Sequence, residues 1–168
     1  TPMLLRELGA TTINVNCDPD GFNINENCAV LNQKLFAEYA KNYEFDYCVA
    51  VDGDGDRIVL SDSKGTIFSG DDILYTLASR NKMIEKAQSG TVVGTTMSNQ
   101  GVVEALAKVG IEFIRTNVGD KYVSRELVKN DLNLGAEPSG HIIQREFSES
   151  GDANIALIQT LAALQELD

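Results

Sequence analysis

Residues 47–57 read Tyr47-Cys-Val-Ala-Val-Asp52-Gly-Asp54-Gly-Asp56-Arg57, an unbroken apolar run that stops at three carboxylates separated by single glycines. Such a run reads as a buried strand, and the carboxylates then sit where the strand emerges. Three anions so closely spaced repel one another and raise one another's pKa unless something positive lies among them. A divalent cation meets that need, and ligands that are all oxygen select a hard ion such as Mg²⁺, Mn²⁺ or Ca²⁺. Gly53 and Gly55 let the backbone curl so that alternate carboxylates converge. Arg57 adds a fixed charge able to grip an anion, such as a phosphoryl oxygen shared with the metal. An EF-hand would need Gly at its sixth position and Glu at its twelfth. Counted from Asp52, those positions hold Arg57 and Ser63, which argues against it. A phosphatase-type pair would use Asp52 and Asp54 and leave Asp56 and the glycine alternation without a purpose. The plain alternative is a solvated acidic turn, and the strand in front of the motif favours the metal site over it.

At 168 residues and 43% hydrophobic content the chain can bury a core, and its length admits one domain or two small ones. A net charge of −11 argues against nucleic-acid binding, which needs a basic face to displace counterions. A small anionic substrate would have to be met by local Arg, Lys or backbone N–H groups. Cys17, Cys28 and Cys48 are odd in number, lack a metal-type spacing and fall in or beside apolar segments. Buried, reduced thiols of a cytoplasmic protein are the expectation. No apolar run approaches membrane-spanning length and the opening residues do not resemble a signal peptide, so no membrane partner is expected. The chain opens on Thr1 without methionine, as a piece of a longer protein would.

Thr1-Pro2 followed by Met3, Leu4, Leu5 and Leu8 predicts a short helix ended by Gly9. The β-branched stretch 11–16 predicts a strand, 17–27 a polar loop, and 29–42 a helix with Leu31, Leu35, Phe36 and Tyr39 on one side. Residues 45–51 are expected to be the central strand, and 58–61 and 66–68 a hairpin about Asp62-Ser-Lys-Gly65. A helix follows from Ser69-Gly70-Asp71-Asp72 to about Lys86. The second half predicts strands at 91–94, 111–115, 132–134 and 142–147. It also predicts helices at 99–109, at 121–130 capped by Asp120, and after Gly151-Asp152. The order of elements then repeats, with the acidic loop and the loop 137–141 at one topological position. The chain reads as two copies of an α/β unit, the first without its opening strand, with a polar boundary at 86–90.

Glu137, Ser139 and His141 alternate with Pro138 and Gly140, offering an acceptor, a hydroxyl and an imidazole to one ligand. That set suits a polyhydroxylated sugar, whose hydroxyls donate and accept at once, while the imidazole reaches a phosphate or moves a proton. Val118-Gly119-Asp120-Lys121 ends a strand and opens a helix, where Lys121 stands ready for an anion. Thr95-Thr96-Met97-Ser98-Asn99 reads as helix capping. No Ser, Cys or Lys has the partners of an activated nucleophile, so a group that carries a phosphoryl must lie elsewhere.

Together these motifs resemble the α-D-phosphohexomutases. The segments Asp20-Gly-Phe-Asn-Ile-Asn-Glu-Asn-Cys28 and Val118-Gly-Asp-Lys121-Tyr-Val are similar to the branch of that family acting on glucosamine phosphates. The resemblance implies two three-layer α/β domains with mixed, mainly parallel sheets: residues 1–87 as domain 2, carrying the metal loop, and 88–168 as domain 3, carrying the sugar loop. It implies Mg²⁺ on Asp52, Asp54 and Asp56, and Arg57 on the phosphoryl group. Glu137 and Ser139 would hold sugar hydroxyls, with His141, Lys121 and Gly119 near substrate phosphate or a transferring proton. The implied reaction interconverts glucosamine 6-phosphate and glucosamine 1-phosphate through a phosphoserine and a bisphosphorylated sugar. Domains 1 and 4 would supply the phosphoserine and the phosphate loop, and the chain alone would be inactive. A phosphomannomutase or phosphoglucomutase of the same family, and a non-enzymatic calcium module, are the alternatives. Self-association through an unpaired strand edge is a further expectation.

Overall fold

The computed structural model describes residues 1–83 and 90–167. Residues 1–83 contain α1 (Pro2–Glu7), α2 (Lys34–Asn42), β1 (Tyr47–Val51), β2 (Ile58–Asp62), β3 (Ile67–Phe68) and α3 (Gly70–Met83). Residues 90–167 contain β4 (Thr91–Thr95), α4 (Gln100–Lys108), β5 (Glu112–Thr116), α5 (Asp120–Lys129), β6 (Leu134–Ala136), β7 (Ile142–Gln144) and α6 (Ala153–Leu167). The boundary expected at 86–90 lies, apart from Gly90, outside the described residues.

Both units are α/β. The second sheet has the order β5-β4-β6-β7, with β4 parallel to β5 and to β6 and only β7 antiparallel. The first sheet, β1-β2-β3, is antiparallel throughout. The expected repeat is visible in its most useful part: β1 and β2 flank the acidic loop as an antiparallel pair, and β6 and β7 flank the loop 137–141 in the same way.

Four expectations are corrected in the first unit. The run at 47–51 is an edge strand, paired among the described residues only with β2, and its residues are half-buried or exposed. Residues 11–16 form no strand; Asn16 adopts φ +53°, and Ile13 is exposed. Propensity for a strand is realised only by pairing, and residues 11–16 pair with none of the described strands. The helix expected from residue 29 begins at Lys34, because 25–33 is a series of turns with Asn25 and Asn27 at positive φ, leaving Leu31 exposed. The three thiols are free, but their expected burial is corrected: Cys17 is exposed and Cys28 and Cys48 are half-buried.

One core joins the units. Ile58 and Leu60 of β2 pack with Ile73, Leu74 and Leu77 of α3, Leu106 of α4, Leu134 and Ala136 of β6, and Leu157 of α6. Helix α3 packs mainly on α6, α4 and β6, so it lies with the second sheet, and Ile58 and Leu60 of the first sheet share its core. Each of its fully buried aliphatic side chains contributes about 1.5–3 kcal/mol, enough to hold the two sheets in one body. A smaller cluster of Ala29, Phe36 and Val59 seats α2 on the other face of β2. Among the described residues no helix is long and apolar enough to cross a membrane.

Candidate metal and sugar-phosphate site

The acidic loop begins where β1 ends. Asp52 is 8% exposed, and its Oδ1 accepts the backbone N–H of Arg57 at 3.1 Å, closing the loop on itself. Gly55 turns the chain at φ +78°. The result is the convergence that the spacing predicts: one oxygen from each of Asp52, Asp54 and Asp56 lies within 4.8 Å of the others. Arg57 Nε is 3.6 Å from Asp52 Oδ2 and 3.7 Å from Asp56 Oδ1, with the side chain 44% exposed. One guanidinium faces three carboxylates.

That imbalance is felt at Asp56. Burial pushes its carboxyl above the usual range, His141 opposes the rise, the charges of Asp52 and Asp54 add to it, and Arg57 opposes it. Asp56 Oδ1 is buried and makes no hydrogen bond. A buried carboxylate oxygen whose nearest cation, Arg57 Nε, stands at 3.7 Å, beyond hydrogen-bond reach, among three converging carboxylates, is a cradle that a hard divalent cation fits.

The loop 137–141 lies against this cradle. Ile58 N donates to Gly140 O at 3.0 Å, Gly70 N to Pro138 O at 3.2 Å, and Arg57 and His141 form an antiparallel bridge. The interlock leaves no room for side chains: a Cβ on Gly140, at φ +95°, would fall on the Ile58 carbonyl oxygen, and one on Gly70 on that of Glu137. From the other side, Ala153 N donates to Gly55 O at 3.0 Å, tying the start of α6 to the acidic loop. The segment containing Ile24 and Asn25 covers Gly53, whose Cβ would strike the Ile24 side chain.

Glu137 is half-buried, and its Oε1 accepts the N–H of Gly119 at 2.9 Å. Gly119 sits at φ +127°, open in practice only to glycine, and is itself the N-cap of α5. Asp120, expected as the cap, is instead the first helical residue, and no side chain caps this helix. Gly119, expected to meet substrate, spends its N–H on Glu137. Ser139 and Lys121 are exposed, with the Lys121 ammonium 5.0 Å from the centre of the Tyr122 ring. His141, expected to face phosphate or a moving proton, is turned inward: it is 6% exposed, and its Nδ1 lies 3.2 Å from Asp56 Oδ2.

Capping at the strand ends follows expectation. Asn99 caps α4 through Gly101 N, and Asp152 Oδ1 accepts the N–H groups of Asn154 and Ile155 at the start of α6. Sequence reasoning missed a further link, in which Asp71 Oδ2 accepts Asn99 N–H at 2.7 Å and pins the first turn of α3 to the β4–α4 turn. Its only local signal is a carboxylate in a first helical turn, which does not name its partner.

The chain is similar to known proteins along its whole length. Residues 1–65 match the family model for Phosphoglucomutase/phosphomannomutase, alpha/beta/alpha domain II, and residues 69–168 match that for domain III. A phosphoglucosamine mutase of Psychrobacter cryohalolentis is 47% identical over 98% of this chain and 35% of its own length. Among solved structures, a phosphoglucomutase/phosphomannomutase family protein from Burkholderia thailandensis superposes with a TM-score of 0.64 and 18% identity, over 80% of this chain and 30% of that one. The N-acetylphosphoglucosamine mutase of Aspergillus fumigatus, solved with GlcNAc-6P and magnesium, gives 0.57 and 20% identity over 74% and 34%. The chain thus spans about a third of the length of the relatives it matches. It belongs to the phosphoglucomutase/phosphomannomutase family and contains α/β/α domains II and III of that architecture.

Proposed function

We propose that this chain is the part of a cytoplasmic phosphoglucosamine mutase that supplies the metal loop and the sugar loop. The observation that carries the reading is their interlock: the carboxylate triad and the loop 137–141 are bonded backbone to backbone, so cation and sugar would be presented side by side. Asp52, Asp54 and Asp56 would hold Mg²⁺, which when bound neutralises oxygens of a transferring phosphoryl group. Arg57, half in solvent beside the triad, turns its free N–H groups to the same phosphoryl. Glu137, with Oε1 fixed by Gly119, offers its second oxygen to a sugar hydroxyl, and Ser139 adds a donor and acceptor next to it. Lys121, on the exposed first turn of α5, meets the phosphate at the far end of the sugar.

By chain origin, residues 1–87 bring the metal loop and 88–168 the sugar loop, with α3 fastening one to the other. The phosphoryl carrier and a second phosphate site belong to two further domains of the same enzyme, and the exposed edge of β1 is the place where further strands or a second copy would pair. The test is phosphorus NMR of the full-length protein with Mg²⁺ and, in turn, glucosamine, glucose and mannose 6-phosphates. Preferred formation of glucosamine 1-phosphate, with no turnover by the 168-residue chain alone, is the expected result. A preference for mannose or glucose phosphate, or turnover by the chain alone, overturns it.

A further inference from the structure

We infer that the loop 17–28 is a docking knob for the domain that carries the phosphoryl group, which meets it with an apolar socket edged by basic side chains. The inference rests on the reading of the triad as the metal site of a phosphoryl transfer. Phe22 is 92% exposed and Ile24 70%. Single exposed apolar residues are ordinary, but these two stand on a loop that holds itself still. Asp20 Oδ1 accepts the N–H groups of Phe22 and Asn23, both at 2.8 Å. Asn23 Oδ1 accepts Asp20 N–H at 3.1 Å, and its Nδ2 donates to Asp18 O at 3.0 Å. Asn16 Nδ2 donates to Asn27 O at 3.1 Å and closes the loop at its base. Compact surface loops tied by their own side chains are frequently functional, and an aromatic ring on a loop fixed in advance gives up little freedom on binding.

The position of the knob names its occupant. The Ile24 side chain lies against Gly53, between Asp52 and Asp54, and Cys28 Sγ donates to the carbonyl of Val51 at 3.4 Å. The loop is thus fastened to the strand end from which the carboxylates emerge, and a surface that covers Phe22 and Ile24 rests beside the triad. The sequence offers no activated nucleophile, and the chain spans about a third of the length of its relatives. The residue that takes up the phosphoryl therefore belongs to a further domain, which must come to rest at the metal, where the knob stands. Asp18, Asp20 and Glu26 on the same loop are exposed, and residues 17–28 contain no Lys or Arg. The complement of two apolar side chains among three carboxylates is an apolar socket with Lys or Arg at its edge. The knob holds the carrier at the cation and makes no contact with the sugar.

The test replaces the ring in the full-length protein by a photo-crosslinker, Phe22→p-benzoylphenylalanine, and maps the cross-linked peptide by mass spectrometry. The same protein, incubated with Mg²⁺ and a hexosamine bisphosphate, is mapped for the peptide that gains a phosphoryl group. A cross-link within one polypeptide to the phosphorylated domain is expected. Hydroxyl-radical footprinting of the unaltered proteins should show Phe22 oxidised in the 168-residue chain and shielded in the full-length protein. Phe22→Ser should leave the melting temperature and Mn²⁺ uptake of the 168-residue chain unchanged while slowing phosphoryl uptake by the full-length protein about tenfold, as truncation of an anchoring aromatic does. Cross-links only to another domain or to a second copy overturn the inference and leave the transfer reading standing. Equal oxidation of Phe22 in the two proteins, or phosphoryl uptake by the Phe22→Ser protein at the parent rate, does the same. A full-length protein in which no residue takes up a phosphoryl group ends both.

Discussion

Gly140→Ala is the sharpest single perturbation of the interlock between the two loops. Gly140 sits at φ +95°, where an alanine costs about 1–2 kcal/mol. Its new Cβ would fall on the carbonyl oxygen of Ile58, and the backbone shift needed to relieve that overlap costs about 1–3 kcal/mol more. The same shift breaks the Ile58 N–H to Gly140 O bond, about 0.5–1.5 kcal/mol. The expected destabilisation is therefore about 2.5–6.5 kcal/mol, a fall in melting temperature of roughly 5–26 °C for a chain of this size. Gly21→Ala is the control. Gly21 has a similar φ of +90° but nothing within 4 Å of its Cβ position, so it should lose only the conformational part, roughly 2–8 °C. Thermal unfolding followed by circular dichroism measures both. If Gly140→Ala melts no lower than Gly21→Ala, the two loops are not locked together as described.

Other outcomes follow from single residues. Leu74 of α3 is fully buried between the units, so Leu74→Ala should cost about 2–5 kcal/mol and speed hydrogen exchange in β6 as well as in α3. Exchange that accelerates in α3 alone would show that the core is not shared. Asp62 accepts the N–H groups of Lys64 and Thr66, and these bonds, that of Thr66 foremost, hold its carboxyl below its ordinary 3.8. A group depressed on folding stabilises the chain above its unfolded pKa and loses that contribution as pH falls through the folded value. The melting-temperature gap between parent and Asp62→Asn should accordingly be widest near neutral pH and shrink below about pH 3.8. A gap constant down to pH 2 contradicts this. Asp54 is exposed, so Asp54→Asn should not lower the melting temperature of the metal-free chain while weakening Mn²⁺ uptake. Calorimetry with and without the ion separates the two effects.

The acidic loop was legible because its chemistry is local. Three aspartates alternating with glycine carry their own geometry, and the caps at Asn99 and Asp152 likewise involve neighbours two or three residues away. What depends on distant partners was not legible. The run at 47–51 has the apolarity of a central strand, yet it is an edge here because no strand among the described residues pairs with its outer side. Residues 11–16 have strand propensity but join no strand among the described residues. The chain showed Glu137, Gly119, Asp56 and His141 as separate candidates, but not that Gly119 holds Glu137 or that His141 contacts Asp56. Nor does any local pattern tell that Gly151 must be empty for the sake of an imidazole ten positions earlier. Glycine at such a spot reads as an ordinary helix opening.

Diffraction from crystals of this chain soaked in Mn²⁺, with the anomalous signal of the ion mapped, tests the central claim most directly. A peak at bonding distance from one oxygen each of Asp52, Asp54 and Asp56, beside the Arg57–His141 bridge, is the predicted result. Density only at other carboxylates, or an ion held by fewer than two of the three, would contradict it.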